Sequence, residues 1–429
     1  MTSDWPEVTL GDVAREVTVG HVGPMASRYV HEGVPFLRSQ NVRRLRIDLT
    51  DVKFIPAEFH RQLSKSRLRP GDVVVVRTGE PGVCSVIPEE LADANCADLV
   101  IIRPSSRIDA RFLAYYINEA ASHHVASHLV GAVQQHFNVG AARLLPIRLP
   151  NIAEQEAIVG ILGSLDDKIE QNQRTGGAIE ALARATFKAW FVDFEPVKAK
   201  AAGAASFPGM PHAAFAALPD TLIDSPLGPV PDGWEVRSIG DMVATRGGGT
   251  PSTADQSFWT GGTLHWATPK DLSSLQHPVL LSTQRQITDA GAAKISSGIL
   301  PVDTVLLSSR APVGYLALAK VPTAINQGFI AMTCTSSLKP HYLLHWVQAN
   351  MEEIKSRASG TTFPEISKAA FRPIPVVVPP SVLINAFEDV AKPMFDWITQ
   401  AMTESSSLAV MRDYLLPRLL SGRIRVTVS

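Results

Sequence analysis

The chain repeats itself, and this limits its folds more than any composition figure does. Trp5 and Trp234 stand 229 positions apart, as do Gly11-Asp12 and Gly240-Asp241 in the segments WPEVTLGDVA and WEVRSIGDMV. With slips of one or two residues the series runs on through PGDVVVVRT from Pro70 and PVDTVLLSS from Pro301, then Ala94-Asn95 and Ile325-Asn326, then FLAYY from Phe112 and YLLHW from Tyr342. It returns to the first spacing at GAVQQHFN from Gly131 and GTTFPEIS from Gly360, and at Pro146 and Pro150 against Pro375 and Pro379. One shared tryptophan is coincidence. An ordered series at nearly constant spacing is a duplication, so both halves have one fold.

Each copy carries β-branched runs such as Val73–Val76 and Val305–Leu307, an alanine- and aromatic-rich helical segment, a proline-punctuated strand and finally a long helix. The fold class is therefore α/β in a mixed α+β sense: two tandem domains separated by two long antiparallel, coiled-coil-like helices. The boundaries read as 1–152 for the first domain, 153–194 for the central helix, 233–381 for the second domain and 382–429 for the C-terminal helix and tail. Between them, 195–232 holds seven prolines and the run AKAAGAAS, and reads as a partly extended linker.

The first helical stretch, Ala153 to Phe194, puts Ile158, Leu162, Leu165, Ile169, Ile179 and Ala183 at heptad a and d positions. Asn172 also falls at an a position, where a polar group costs stability but fixes register, and Gly176-Gly177 is expected to bend or loosen the middle. From Leu383 to Leu420 a second stretch carries Phe387, Met394, Ile398, Leu408, Leu415 and Leu419, with Asp396-Trp397-Ile398 answering Asp167-Lys168-Ile169. Two narrow apolar seams in one chain predict that each helix covers the other.

At 429 residues there is material for two or three cores. Cys84, Cys96 and Cys334 have no CxxC spacing and are expected as buried, reduced thiols. No run of about 18 apolar residues occurs, so a soluble cytoplasmic protein without a membrane partner is expected. A net charge of −1 neither invites nor excludes nucleic acid, so local charge decides. From Arg38 to Arg69 there are nine basic residues against Asp48, Asp51 and Glu58. Alone, that stripe reads as a solvated face; in a tandem module with a helical spacer it becomes a candidate track for phosphates. Arg43, Arg44 and Arg46 are its densest part. Base reading needs bidentate groups, and Arg38, Gln40 and Asn41 in RSQN supply them, as do Gln134, Gln135 and His136 in GAVQQHFN. The corresponding places in the second copy hold Lys270, Arg310, Gln327 and Thr361. Landmarks are shared while polar groups differ.

Signatures of chemistry are sparse. Gly247–Gly249 is followed by Thr250-Pro251 with no lysine, so it reads as a flexible turn rather than a phosphate loop. His123, His124 and His128 have helical spacing but no HExxH glutamate, and read as a surface cluster. There is no NPP[FYW] tetrapeptide of amino-methyltransferases.

The segments LPNIAEQEAIVGIL leading into LDDKIEQN, FKAWFVDFEPV, DSPLGPVPDGWEV and RDYLLPRLLSGRIRV together make the chain resemble the specificity subunits of type I restriction-modification enzymes. The resemblance implies two target-recognition domains, each reading half of a split double-stranded DNA sequence, with the long helices as spacer. It implies a non-catalytic subunit that docks two methyltransferase subunits and restriction subunits. S-adenosylmethionine, ATP and magnesium would sit on those partners, with no cofactor bound directly by this chain. One departure is Leu383-Ile384 in the second helix, where the first has Glu154-Gln155. The alternatives are a DNA-modifying enzyme with its own active site and a scaffold that reads no DNA.

About 37 helical residues at roughly 1.5 Å each predict a spacer on the order of 55 Å. Deleting one heptad from both helices at facing positions keeps the seam and shortens it by about 10 Å, or roughly three base pairs. The expected outcome in the assembled enzyme is unchanged half-sites with a shorter preferred gap, or loss of methylation. Methylation of the original split target at full rate would show that the helices are not the ruler.

Overall fold

The computed structural model describes residues 4–128, 137–335, 338–360, 362 and 364–426. They form two compact units, residues 1–168 with 407–429, and residues 169–406.

In the first unit an antiparallel sheet has the order Ala14–Val19, Leu99–Pro104, Val73–Val76, Cys84–Val86. Successive strand side chains point to opposite faces. Val73 and Val75 therefore enter a core with Val100, Ile102, Phe112 and Leu162, while Val74 and Val76 enter another with Leu37, Leu68, Leu99 and Ile101. An unbroken valine run is what burial on both faces requires. The helix Ala110–His128 covers the first face. A second sheet, in the order Lys53–Ile55, Val34–Leu37, Ala94–Cys96, Arg67–Leu68, covers the other. Its two middle strands are parallel. Glu7–Thr9 pairs with Pro146–Arg148, so the domain's two ends meet.

The second unit repeats the plan. Its larger sheet has the order Val243–Arg246, Phe329–Cys334, Thr304–Ser308, Leu316–Ala319, with Val279–Leu280 added at the edge. Its smaller sheet is Arg285–Ile287, Leu264–Ala267, Thr323–Ile325, again with a parallel pair. Glu235–Ser238 pairs with Pro375–Val378 as Glu7–Thr9 does with Pro146–Arg148. Strand pairing corrects two of the sequence matches. Leu99–Pro104 and Phe329–Cys334 share one burial pattern, and Val100 faces Val75 as Ile330 faces Leu307. Val75 therefore answers to Leu307, not Leu306. Likewise Cys96 faces Leu37 as Ile325 faces Ala267, so Ala94-Asn95 is not the counterpart of Ile325-Asn326. A slip of one residue is invisible in a run of similar apolar letters, but in a strand it exchanges the two cores.

The Gly-Asp landmark has a steric cause. A Cβ on Gly240 would stand 2.7 Å from that of Arg372, and one on Gly11 would stand 3.3 Å from the carbonyl oxygen of Arg143. Residues 195–232 differ from the linker expected. Glu195–Ala201 and His212–Ala216 are helices, Leu222–Ile223 pairs with Val230–Pro231, and Val197, Phe215 and Leu218 are buried in the second unit's core. Pro196 lies in the first turn of its helix and Pro211 immediately precedes the other, where proline's fixed φ starts a helix instead of breaking it.

The long helices are Ile152–Phe191 and Ser381–Leu420. Within the first unit Ile158 and Leu162 share a core with Leu416, Leu419 and Leu420, and Arg412 donates to Asp166 at 2.8 Å. Within the second, Phe187 and Trp190 meet Phe387, and Asn172 donates to the carbonyl of Ala401 at 3.3 Å, to Glu404 at 2.7 Å and to Ser405 at 3.2 Å. Both stretches are antiparallel, and the buried Asn172 fits only this register. The seam is wider than a strict a/d stripe, since the aromatic residues at one end carry much of the burial. The Glu154-Gln155 departure is consumed internally. Buried Gln155 accepts from the backbone of Asp109 and donates to the carbonyls of Arg107 and Pro150, and Glu154 accepts from Arg425 at 2.7 Å. Leu383 and Ile384 are core residues. Arg425, which also pairs with Asp4, lies 4.9 Å from the ring of Trp5, so residues near the C-terminus complete the first unit.

Gly176-Gly177 does not break the helix. Gly176 is a notch: a Cβ there would stand 2.7 Å from Nε2 of His277, whose Nδ1 lies 3.1 Å from Glu180. Gly177 has nothing within 4 Å of such a Cβ. Alanine is favoured over glycine by about 1 kcal/mol inside a helix. We expect Gly177→Ala to stabilise the protein by up to that amount, and Gly176→Ala to destabilise it by about 1 kcal/mol because His277 must leave Glu180. Urea unfolding of the two variants checks this, and equal effects would remove the notch from the account.

Candidate nucleic-acid interface

Arg38 to Asn41 form the turn that leaves the carboxyl end of Val34–Leu37. Asn41 is buried: its carboxamide oxygen accepts from the backbone N–H of Arg38 at 3.0 Å, and its Nδ2 donates to the carbonyl of Asp48 at 2.9 Å. The sequence reading placed Asn41 among the base readers. The structure gives it a different task, since both ends of its side chain close the loop. Arg38 and Gln40 are the residues this turn turns outward. Arg38 donates to the carbonyl of Asp51 at 2.6 Å and to its carboxylate at 3.2 Å, and Gln40 donates to the same carboxylate at 2.9 Å. Lys53 donates to it at 3.1 Å. These hydrogen bonds, from Lys53 first and then Arg38, hold the Asp51 carboxyl below the usual carboxylate range. Gln40 and Asp51 are exposed, and Arg38 and Lys53 are held half-buried beside them.

The same frame stands in the second unit. Thr268 to Asp271 leave Leu264–Ala267, and buried Asp271 accepts from the Thr268 N–H at 2.8 Å and hydroxyl at 2.6 Å. Asp271 is thus the counterpart of Asn41, and exposed Lys270 that of Gln40. A buried acceptor three residues after the first loop residue is common to both copies. What stands outward is Gln40 beside half-buried Arg38 in one and Lys270 in the other, where the Thr268 hydroxyl is spent on Asp271.

Neighbouring loops gather at the same strand ends. Gln327 follows Thr323–Ile325, the parallel partner, and its carboxamide oxygen accepts from the Thr250 hydroxyl at 2.7 Å. Gly247–Gly249 is not the flexible turn expected, because a Cβ on Gly248 would stand 1.8 Å from the carbonyl oxygen of Ile325 and Gly249 N–H donates to that oxygen at 2.9 Å. The glycines let two backbones cross. In the first unit Gly20 crosses Cys96 in the same way. Arg310 reaches the group through Ser309, whose N–H donates to the carbonyl of Gly328 at 2.8 Å, and its guanidinium lies 3.7 Å from Glu365. The sequence reading passed over Arg77, which pairs with Asp98 at the corresponding edge of the first unit, and Thr250. Arg77 had one legible sign, a charge directly after a wholly buried strand.

The arginine cluster is a hairpin, Val42–Arg43 with Arg46–Ile47. Leu45 at its tip has φ 60°, a conformation costing a bulky residue roughly 1–3 kcal/mol, and its N–H donates to the carbonyl of Cys84 at 2.9 Å. That anchor leaves Arg43, Arg44 and Arg46 outside. Arg44 lies 3.1 Å from Glu119, and Arg43 lies 3.9 Å from Asp48. The Asp48 carboxyl is held low mainly by the Thr50 hydroxyl and N–H, and only then by Arg46 and Arg43. The hairpin has no counterpart after Asp271, where the chain stays helical to Ser273. Gln134, Gln135, His136 and Thr361 lie outside the described residues. Among the described residues no group of three or more His, Cys, Asp or Glu is placed to hold a metal ion, and no helix is long and apolar enough to cross a membrane. Cys84 and Cys96 are buried, and desolvation pushes both thiols far up.

A family model described as the type I restriction modification DNA specificity domain matches residues 2–181 and again residues 231–382. The chain belongs to this family. It is 25% identical over 476 aligned residues, covering 98% of this chain and 100% of the relative, to the type I restriction enzyme HindI specificity subunit of Haemophilus influenzae. It is 34% identical over 158 residues, 36% of each chain, to the MjaIX specificity subunit of Methanocaldococcus jannaschii. The crystal structure of a type I restriction-modification S subunit from M. genitalium has the same fold, with a TM-score of 0.61 at 14% identity, covering 99% of this chain and 97% of that one. The duplicated loop frame is therefore a feature of two specificity domains in one chain.

Replacing Arg43, Arg44 and Arg46 together with alanine should weaken binding to all duplexes alike. Each lost phosphate contact lowers the slope of log affinity against log salt by about one. Titration of labelled duplex at several salt concentrations measures it, and an unchanged slope would make the hairpin a solvated surface.

Proposed function

We propose that this chain is the DNA-recognition subunit of a type I restriction-modification complex, and that each unit reads one half of a split target. One observation carries the reading: the same buried acceptor, Asn41 or Asp271, builds the same outward turn in both units, while the side chains it presents are Arg38 and Gln40 in one and Lys270 in the other. An Arg–Gln pair suits guanine and adenine edges in the major groove, and a single lysine suits a different set. A constant frame with variable contents is the arrangement that lets two domains of one fold recognise two sequences.

The chain itself is non-catalytic in this reading. Methyltransferase subunits, two of them, and restriction subunits assemble on it, and S-adenosylmethionine, ATP and magnesium belong to those partners. Support comes from the family. The long helices supply a second element common to both units, and Gly163 and Gly176 fix each reading domain to its own stretch of helix. Arg111 crosses Gly163 to reach Asp167 at 3.3 Å, and His277 fills the notch at Gly176.

The test uses the full chain assembled with the methyltransferase from the same genome, after methylated adenines have been mapped to define the target. Arg38→Ala with Gln40→Ala should relax one half-site and leave the other intact, at a cost of about 1–3 kcal/mol per lost bidentate contact. Equal relaxation of both halves would rule out independent domains. Methyl transfer by the purified chain alone would place the chemistry here instead.

A further inference from the structure

Arg285 is a cation beside the second unit's loop cluster that no local sequence pattern marks. It lies on the edge strand Arg285–Ile287, directly opposite Trp266, as Lys53 lies opposite Phe36 in the first unit. The two positions are equivalent, and their surroundings differ in one decisive way. Lys53 is neutralised by Asp51, two residues before it. The place of Asp51 is taken by Thr283, whose hydroxyl donates to the carbonyl of Arg285 at 2.6 Å and carries no charge. Arg285 is exposed, and its guanidinium has no hydrogen bond or ion pair among the described residues.

It is nevertheless held in place. Its guanidinium carbon stands 3.6 Å from the ring centre of Trp259 and 5.3 Å from that of Trp266. The two indoles meet edge to face at 5.1 Å, and each spends its N–H on the glycine loop, Trp259 on the carbonyl of Ser252 at 2.9 Å and Trp266 on that of Gly249 at 3.0 Å. The strand beneath is pinned by Asp271, whose second carboxylate oxygen accepts from the N–H of Gln284 at 2.7 Å. The same buried carboxylate therefore places both Lys270 and Arg285. Stacking on an indole satisfies the face of a guanidinium and leaves its N–H edge open.

We propose that Arg285, mounted on Trp259, is a DNA-contacting residue of the second recognition domain, presenting its N–H edge bidentately to a pair of acceptor atoms of the duplex. This rests on the reading of that domain as a DNA reader. A phosphate and the O6/N7 edge of guanine both offer the required acceptor geometry.

The experiment uses the assembled complex and duplexes carrying the mapped target, with Arg285→Ala and Arg285→Lys. A phosphate contact predicts that Arg285→Ala weakens every duplex alike and lowers the salt slope by about one, with partial rescue by lysine. A guanine contact predicts about a tenfold loss confined to one position of the second half-site, without rescue. Thermal melting of each variant confirms that the fold is kept. Arg285→Ala that binds with unchanged affinity, slope and specificity overturns the proposal while leaving the general reading in place. If the unaltered complex shows no preference for its target over random duplex, it is the general reading that fails.

Discussion

Each unit depends on a strand that water cannot reach from either face. Val73–Val76 and Thr304–Ser308 are buried throughout, so both sides of the larger sheet must be covered. In the first unit a helix and the long-helix pair cover one side, and the smaller sheet covers the other. Burying four such side chains is worth several kcal/mol at about 25 cal/mol per Å². The outcome is a layered order in which the smaller sheet, from which the turns at Arg38 and Thr268 leave, lies on the far side of the larger sheet from the core shared with the long helix.

Position along the helices is set by small residues. Gly163 and Gly176 each take a side chain from the domain alongside, and the carboxylate four residues on holds it: Asp167 for Arg111 and Glu180 for His277. Asp166 adds a further bond at 2.5 Å from the Tyr115 hydroxyl, whose pKa is pushed up by burial and then by that carboxylate. The shared Asp167 and Asp396 landmark has a similar basis. Asp396 stands 4.0 Å from Lys320 of its own unit's sheet and 2.5 Å from Lys392. At Gly163 and Gly176 the key combines a missing Cβ with a charge.

Much of this was legible in the letters. The duplication, the two long helices and the role of Asn172 follow from spacing alone, because helical periodicity and constant offset survive substitution. Strand register did not, since valine, leucine and isoleucine are interchangeable to the eye while the pleat distinguishes them absolutely. Residues 195–232 differ from the partly extended linker that their proline density suggests, because Pro196 and Pro211 start helices here. At the loops proposed to read DNA, the sequence shows which polar residues are present but not how they divide their labour. Asn41 has the chemistry of a base reader, but its burial, which no local pattern encodes, commits it to the loop. Arg285 was missed for the complementary reason: what distinguishes it is an absent acid and a distant tryptophan.

The closure of the first unit by residues 407–426 has a bearing on how the protein is made. Leu416, Leu419 and Leu420 belong to the core that contains Ile158 and Leu162, and Arg425 seals Glu154 against Trp5. Those residues leave the ribosome after all of 169–406, which is continuous in sequence. Domains generally form in the order of synthesis, but here the second unit is whole while the first still exposes an apolar stripe awaiting its last helix turns. For that interval the nascent chain has a finished reader downstream and an unfinished one upstream, and the stripe is what a holding chaperone would meet.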